Sequence, residues 1–277
     1  QAGIRDQFKD RCEPDLLING GINCQPSTTP DGKKQVAVAV TYKIALEIGS
    51  LGDNVQYLRR QIANDPVFQI LATIPTSFDT VAAHTRWASV GAITEANCHP
   101  VDNHTTGHKS ARCGIIHTCL NGDIDNYLDL KEDMEAGGTF IHEDITTDTK
   151  IIPLRIEMYI NRGEAVDNAF RLAVNDFEGS HAISMHTDLA PGKLFLAQRG
   201  SGQTIFVGLA EDHYMPASEV YGFVEETPHY LKLDGEKIVK GQHISNGTFA
   251  SGLNEVELYF DPTIKESLKQ TLISRLR

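Results

Sequence analysis

The period of the apolar positions changes several times along the chain, and each change predicts an element. Residues 1 to about 20 carry helical spacing that ends in Asn19-Gly20-Gly21. QPSTTPDGKK then predicts a turn, and QVAVAVTYKIALEI, starting at Gln35, alternates as a strand does. GDNVQYLRRQIAND has helical spacing, TVAAHTR and RCGIIHT are short strand candidates, and NYLDLKEDMEAGG is a polar-faced helix stopped by Gly137-Gly138. Two helices in series, roughly 148–161 and 164–178, lead into a ladder of alternating strands: SHAISMHT, KLFLAQRG, TIFVGLA, HYLKLD and EKIVKG. From about 242 the chain reads as irregular, and DPTIKESLKQTLISRLR then predicts a terminal helix whose apolar positions have no obvious partner in what precedes it. Strands in both halves, with helices between and beside them, predict an α+β fold of two stacked sheets covered by helices, and no internal repeat or low-complexity tract interrupts it.

Charge narrows the range of partners. A chain of 277 residues is long enough to bury a substantial core, and Lys and Arg number 25 against 37 Asp and Glu, a net charge of -12. That balance argues against nucleic acid and against an anionic membrane surface as partners. The longest apolar runs, such as VAVAV, fall far short of a membrane span, and the first residues are too charged for a signal peptide, so a cytoplasmic location is expected. Five cysteines, an odd number without regular spacing, predict free thiols in a reducing compartment. In that compartment the triplets Asn103-His104-Thr105 and Asn246-Gly247-Thr248 carry no glycan.

Three short stretches carry candidate chemistry. Arg86-Trp87-Ala88-Ser89 contains the only tryptophan of the chain; taken alone, an Arg-Trp pair is as readily a stacked surface pair as a substrate site. Asn121-Gly122 follows a predicted strand, so a carboxamide and a backbone N–H could form an oxyanion hole, although Asn-Gly is also a common turn. Asp148, within Thr147-Asp148-Thr149, reads locally as a helix cap. Together they fit a free amino acid, with Arg gripping the carboxylate and Asp the ammonium. His104 and His108 lie in loop sequence where a metal pair is not expected, His142-Glu143-Asp144 reads as a solvated acidic loop, and Cys113-Gly114-Ile115-Ile116 reads as a buried strand. Cys12, Cys24 and Cys119 have no local basic setting that would lower a thiol pKa.

Taken in order, HTRWASVGAITEANCHP, the Leu120-Asn121-Gly122 triplet, GGTFIHEDITTDT and LFLAQRGSGQTIFVGLAEDHYMPASE resemble the class II glutamine amidotransferases, in particular the glutaminase domain of the glucosamine-6-phosphate synthase family. The resemblance is good over about 36–242 and poor before it. It implies an N-terminal-nucleophile hydrolase fold, a four-layer αββα sandwich over 1–241, that hydrolyses L-glutamine to glutamate and ammonia without metal or cofactor. The 242–277 segment resembles the linker and helix leading to a sugar-phosphate isomerase (SIS) domain, whose sugar phosphate would take the ammonia, and a homodimer is compatible with the family. Carried over, Arg86 binds the glutamine α-carboxylate, Trp87 and Ser89 line the pocket, His99 sits in the adjoining loop, Asn121 and Gly122 form the oxyanion hole, and Asp148 takes the α-ammonium. The departures are specific. The family's nucleophile is an N-terminal cysteine in a Cys-Gly-Ile start, whereas this chain begins Gln1-Ala2-Gly3 and has QPSTTPDG where an arginine motif is expected. Val90 and Leu120 stand where relatives have histidine. Either the nucleophile precedes Gln1 or the fold serves as a non-catalytic amino-acid-binding module. A different N-terminal-nucleophile amidase would leave one of the Arg86 and Asp148 charges unpaired.

Overall fold

The computed structural model describes residues 2–12, 19–29, 31–45, 51–86, 90–104, 114–200, 202–211, 213–233, 243–244, 247–249 and 254–259. Helix α1 (Ala2–Arg11) precedes a hairpin of β1 (Gly21–Thr28) and β2 (Lys34–Thr41), and α2 (Leu51–Asn64) and α3 (Pro66–Leu71) follow. The middle holds β3 (Val101–Asp102), β4 (Ile116–Gly122), α4 (Tyr127–Ala136), α5 (Ile151–Asn161) and α6 (Val166–Asp176). Strands β5 (His181–Thr187), β6 (Lys193–Arg199), β7 (Phe206–Leu209), β8 (Tyr214–Ala217), β9 (Tyr230–Lys232), β10 (His243–Ile244), β11 (Gly247–Phe249) and β12 (Asn254–Tyr259) complete the described chain.

The strands form three antiparallel sheets. The largest has the order β10-β11-β12-β6-β5-β4-β3, and the smaller two are β8-β7-β9 and the β1-β2 hairpin. Alternation along β5 and β6 explains the layering, because successive side chains point to opposite faces. Ile183, Met185, Phe195 and Ala197 face α4–α6 and pack with Ile152, Ile156, Phe170 and Phe177. Ala182, Leu194 and Leu196 face the other way, against Val207 and Leu209 of β7. A strand buried on both faces must be apolar at nearly every position, and each such Ile or Phe contributes about 1.5–3 kcal/mol.

Helices α1–α3 pack about the hairpin. Arg11 donates to Gly20 O at 2.5 Å and pairs with Asp65 at 2.7 Å. Asp65 caps α3, accepting from Val67 N at 2.9 Å and Phe68 N at 3.2 Å, while Pro66 occupies the first turn, where no N–H is needed. The architecture is the expected α+β arrangement of stacked antiparallel sheets flanked by helices.

Three local expectations change. The predicted turn QPSTTPDGKK begins later, since β1 runs through Gln25, Pro26, Ser27 and Thr28, each matched in register to β2. TVAAHTR is extended but joins no ladder, and Val81 is 93% exposed, so its alternation reflects no buried face. The stretch from 242, expected to be irregular, includes three short strands, of which β12 pairs with β6 from Asn254↔Gln198 to Tyr259↔Lys193. The predicted strand EKIVKG and the predicted helix over 261–277 lie outside the described residues.

Candidate active site

The site begins at the end of β4. Asn121 is register partner of Ala182 and therefore points to the face away from α4–α6, while Gly122 sits opposite His181 with φ +106°. Only glycine fits there: a Cβ would lie 2.1 Å from Ser180 O and 3.0 Å from the His181 Cα. Leu120, one residue earlier, is buried in the helix-facing core, where an apolar side chain needs no polar partner.

Asp148 is tied to this strand end directly. Its Oδ2 accepts the N–H of Ile124, two residues past Gly122, at 2.9 Å. Thr147 and Thr149 hydroxyls both donate to Oδ1 at 3.4 Å, and Thr147 caps the turn by accepting from Thr149 N. Burial pushes the Asp148 carboxyl above its ordinary range, the Ile124 N–H pulls it down, and the Asp123 charge pushes it up again. The carboxylate is thus buried 4% exposed and held by neutral donors, a setting that gains from a ligand cation.

The opposite charge, Arg86, is held by the 90–100 loop. Arg86 donates to Val90 O and, at 3.2 Å, to Ala92 O, which curls the loop around the guanidinium. Burial lowers the Arg86 pKa, and Asp148 is the leading charge acting against that, so the two lie within each other's field. Asn97, fully buried, clamps this loop to the Asp148 turn. Its Oδ1 accepts from Thr146 N at 2.8 Å and Thr147 N at 2.9 Å, and its Nδ2 donates to Thr94 Oγ1 at 2.8 Å and Asp144 O at 3.2 Å. Ala92 N adds a bond to Thr146 Oγ1 at 3.0 Å. His99 joins the same turn through a 2.8 Å hydrogen bond between its Nε2 and Thr149 Oγ1, and its ring lies 4.5 Å from that of His84. Burial first, then His84 and Arg86, pull the His99 pKa down to about 2, so the ring is neutral.

A set of charges is buried close to His99. Lys150 donates to Asp102 O and stands 3.9 Å from its Oδ1, and His117 is 4.0 Å from Oδ2. Lys43, also buried, has its pKa lowered by desolvation and opposed by Asp102, Cys98, Glu95 and Cys119.

Of the residues singled out in the sequence, His99 is bonded to the turn that carries Asp148, Asp148 is bonded to the backbone two residues past Gly122, and Arg86 lies within the field of Asp148. Trp87 and Ser89 lie outside the described residues, as do Cys113 and His108. His104 is buried and bonded to Asn23 Nδ2 at 2.7 Å and to Gly114 O at 2.6 Å, a structural role. His142, Glu143 and Asp144 form a largely exposed loop. Among the described residues no group of three or more His, Cys, Asp or Glu side chains could hold a metal ion, and no helix is long and apolar enough to cross a membrane.

The chain is 34% identical over 158 residues to the glutamine–fructose-6-phosphate aminotransferase (isomerizing) of Methanothermobacter thermautotrophicus, covering 57% of this chain and 25% of that protein. The enzyme of the same name from Sulfolobus acidocaldarius is 36% identical over 155 residues, covering 55% and 24%, and that of Streptococcus agalactiae 30% over 190, covering 68% and 29%. The resemblance to the glutamine amidotransferases expected from the sequence is borne out by these relatives. The chain spans about a quarter of the length of these curated relatives. No family model matches it. Among solved structures, the glutamine phosphoribosylpyrophosphate amidotransferase of B. subtilis aligns with a TM-score of 0.47 at 15% identity, over 94% of this chain and 46% of that one.

Two features of the site leave no signal in the sequence. Asn97 stands inside a stretch already recognised, EANCHP, but an asparagine that accepts two N–H groups 49 and 50 residues away leaves no local signature. The buried Lys43, Asp102 and Lys150 were likewise invisible, because charged residues in a sequence default to the surface.

Proposed function

We propose that this site binds L-glutamine and serves a glutaminase reaction that yields glutamate and ammonia. Arg86 would grip the α-carboxylate, Asp148 the α-ammonium, Asn121 and Gly122 the oxyanion formed at the carboxamide, and Trp87, Ser89 and His99 would line the pocket. The observation that carries the reading is the hydrogen bond from Ile124 N to Asp148 Oδ2, which sets the ammonium ligand two residues from the oxyanion glycine. The nucleophile would be an N-terminal cysteine thiolate preceding Gln1, attacking the carboxamide to give a thioester that water resolves, chemistry that needs no metal or organic cofactor. The acceptor would be a sugar phosphate, aminated on a fused isomerase domain beyond the 242–277 linker, in a soluble cytoplasmic protein able to dimerise.

A second reading is a glutamine-binding module without turnover. It is favoured by the thiols near Lys43: burial raises the pKa of Cys98, and that of Cys119 to about 12, so neither is an activated nucleophile. Calorimetry with glutamine, alongside a glutamate and ammonia assay on the full-length protein, separates the two. Both readings require that Arg86→Ala and Asp148→Ala abolish glutamine binding; unchanged affinity in both variants removes the pocket assignment. Binding without turnover, and without labelling by an electrophilic glutamine analogue, removes the catalytic reading alone.

A further inference from the structure

Gly122, His181 and Arg199 form one row across the large sheet, because Gly122 is the register partner of His181 and His181 that of Arg199. Just past this row the chain leaves β6 and crosses to β7 of the small sheet. The crossing therefore passes the strand end that bears Gly122. Its course is fixed at both ends: Gln198 Oε1 accepts from Ile205 N at 3.0 Å, Ile205 O accepts from Leu233 N at 2.9 Å, and Ser180 Oγ donates to Arg199 O at 3.3 Å. It also lies tight against Ser180, since a Cβ on Gly200 would stand 2.7 Å from Ser180 Oγ and one on Gly202 3.3 Å from it. Gln203 is the residue that this loop sets beside Gly122. Its Cγ lies 3.0 Å from the place of a Gly122 Cβ, and the carboxamide begins at the next atom. The side chain is half-buried, and among the described residues its carboxamide has no hydrogen-bond partner.

We infer that Gln203 is a further contact for glutamine, its Oε1 accepting a hydrogen bond from the NH2 of the ligand's side-chain carboxamide. The inference rests on the glutamine reading of the site and adds a group which that reading leaves out. Asn121 Nδ2 and the Gly122 N–H are donors, so they serve the carboxamide oxygen and offer nothing to its NH2. An N–H taken out of water without an acceptor weakens binding. Ser180 O, which also borders Gly122, already receives the N–H of Asp123 at 3.2 Å, whereas the Gln203 carboxamide is uncommitted. A carboxamide also suits both sides of the reaction, because it can turn about its Cγ–Cδ bond and donate its own NH2 to the carboxylate of glutamate.

The test compares glutamine, glutamate and L-norvaline, which keeps the α-carboxylate and α-ammonium but has no carboxamide. Affinities are measured on the full-length parent, Gln203→Met, Gln203→Glu and Arg86→Ala, as Kd or, where glutamine is turned over, as KM and competitive Ki. Gln203→Met should weaken glutamine roughly 2- to 10-fold and leave norvaline unchanged. Gln203→Glu keeps the acceptor oxygens and should hold glutamine within about twofold of the parent, while its charge weakens glutamate about tenfold or more. If Gln203→Met fails to fold, the split between glutamine and glutamate in Gln203→Glu decides alone. Glutamine bound by Gln203→Met as tightly as by the parent, norvaline weakened as much as glutamine, or glutamine and glutamate weakened together in Gln203→Glu would each overturn the inference and leave the pocket assignment standing. Unchanged glutamine affinity in Arg86→Ala would instead remove the pocket assignment, and this contact with it.

Discussion

Replacing Asn97 by alanine tests whether the pocket is assembled by a single buried carboxamide. The side chain is fully buried and makes four hydrogen bonds between 2.8 and 3.2 Å, two of them accepted from the backbone that precedes Asp148. Thr146 is exposed, so water can replace the partner its N–H loses, but Thr147 is buried and its N–H would be left unpaired. An unpaired buried donor costs about 1–3 kcal/mol, and the two lost bonds from Nδ2 about 0.5–1.5 kcal/mol each, so a total on the order of 2–6 kcal/mol is expected. In a domain of this size that corresponds to a Tm lower by roughly 5–15 °C. Glutamine affinity should fall at least as steeply, because Asn97 supplies three of the bonds that tie the 90–100 loop to the segment bearing Asp148. Asn97→Asp keeps an oxygen facing the two N–H groups while losing the amide donor, so it should recover part of both losses. Calorimetric unfolding and glutamine titration on the three proteins provide the assay. If Asn97→Ala melts within about 1 °C of the parent and binds glutamine equally well, the clamp is not what organises the pocket. If Asp and Ala are equally damaged, the bonds to Thr146 and Thr147 are not the ones that matter.

Gly122→Ala should cost roughly 1–3 kcal/mol or more, because the new Cβ meets Ser180 O at 2.1 Å and φ is +106°. A urea midpoint unchanged from the parent would contradict that geometry. Burial holds the pKa of His99 at about 2 and those of His117 and His181 at about 4, all below the 6.5 of an unfolded histidine. Below pH 6.5 the unfolded chain therefore binds more protons. Stability should be full above that value and decline toward pH 4, by up to about 1.4 kcal/mol per pH unit for each ring. Urea unfolding at several pH values checks this, and a flat profile between 6.5 and 4 refutes it. For Asp148, whose carboxyl is raised by burial, an ammonium ligand favours the ionised form. Glutamine affinity should then weaken as pH falls through that raised pKa, with proton release on binding seen as a buffer-dependent heat; affinity independent of pH down to acid conditions would argue against contact with the ammonium.

Much of the element pattern was legible without coordinates, for reasons that are local. Strands β5 to β7 and helices α4 to α6 coincide with predicted stretches because their burial faces recur at the periods of strand and helix, whereas β4 shares only Ile116–Thr118 with RCGIIHT and runs on through Asn121 and Gly122. TVAAHTR failed because alternation alone does not supply a partner strand, and β1 was missed because Gln25-Pro26-Ser27-Thr28 has turn composition yet pairs residue for residue with β2. Register is a property of two strands, and neither sequence carries it alone.

The amino-acid sequence by itself determined the chemistry available to the proposed site: a guanidinium at Arg86, an Asn-Gly pair at a strand end and a carboxylate at Asp148, side-chain types that bring their charge or donors wherever they are placed. Only the tertiary structure decided that Asp148 reaches back to Ile124, that Asn97 joins the loop after Arg86 to the turn before Asp148, and that Lys43 and Lys150 are buried beside Asp102. Each of these depends on residues distant in sequence meeting in a low-dielectric interior, where a lone charge or an unpaired donor is costly and a partner must be found.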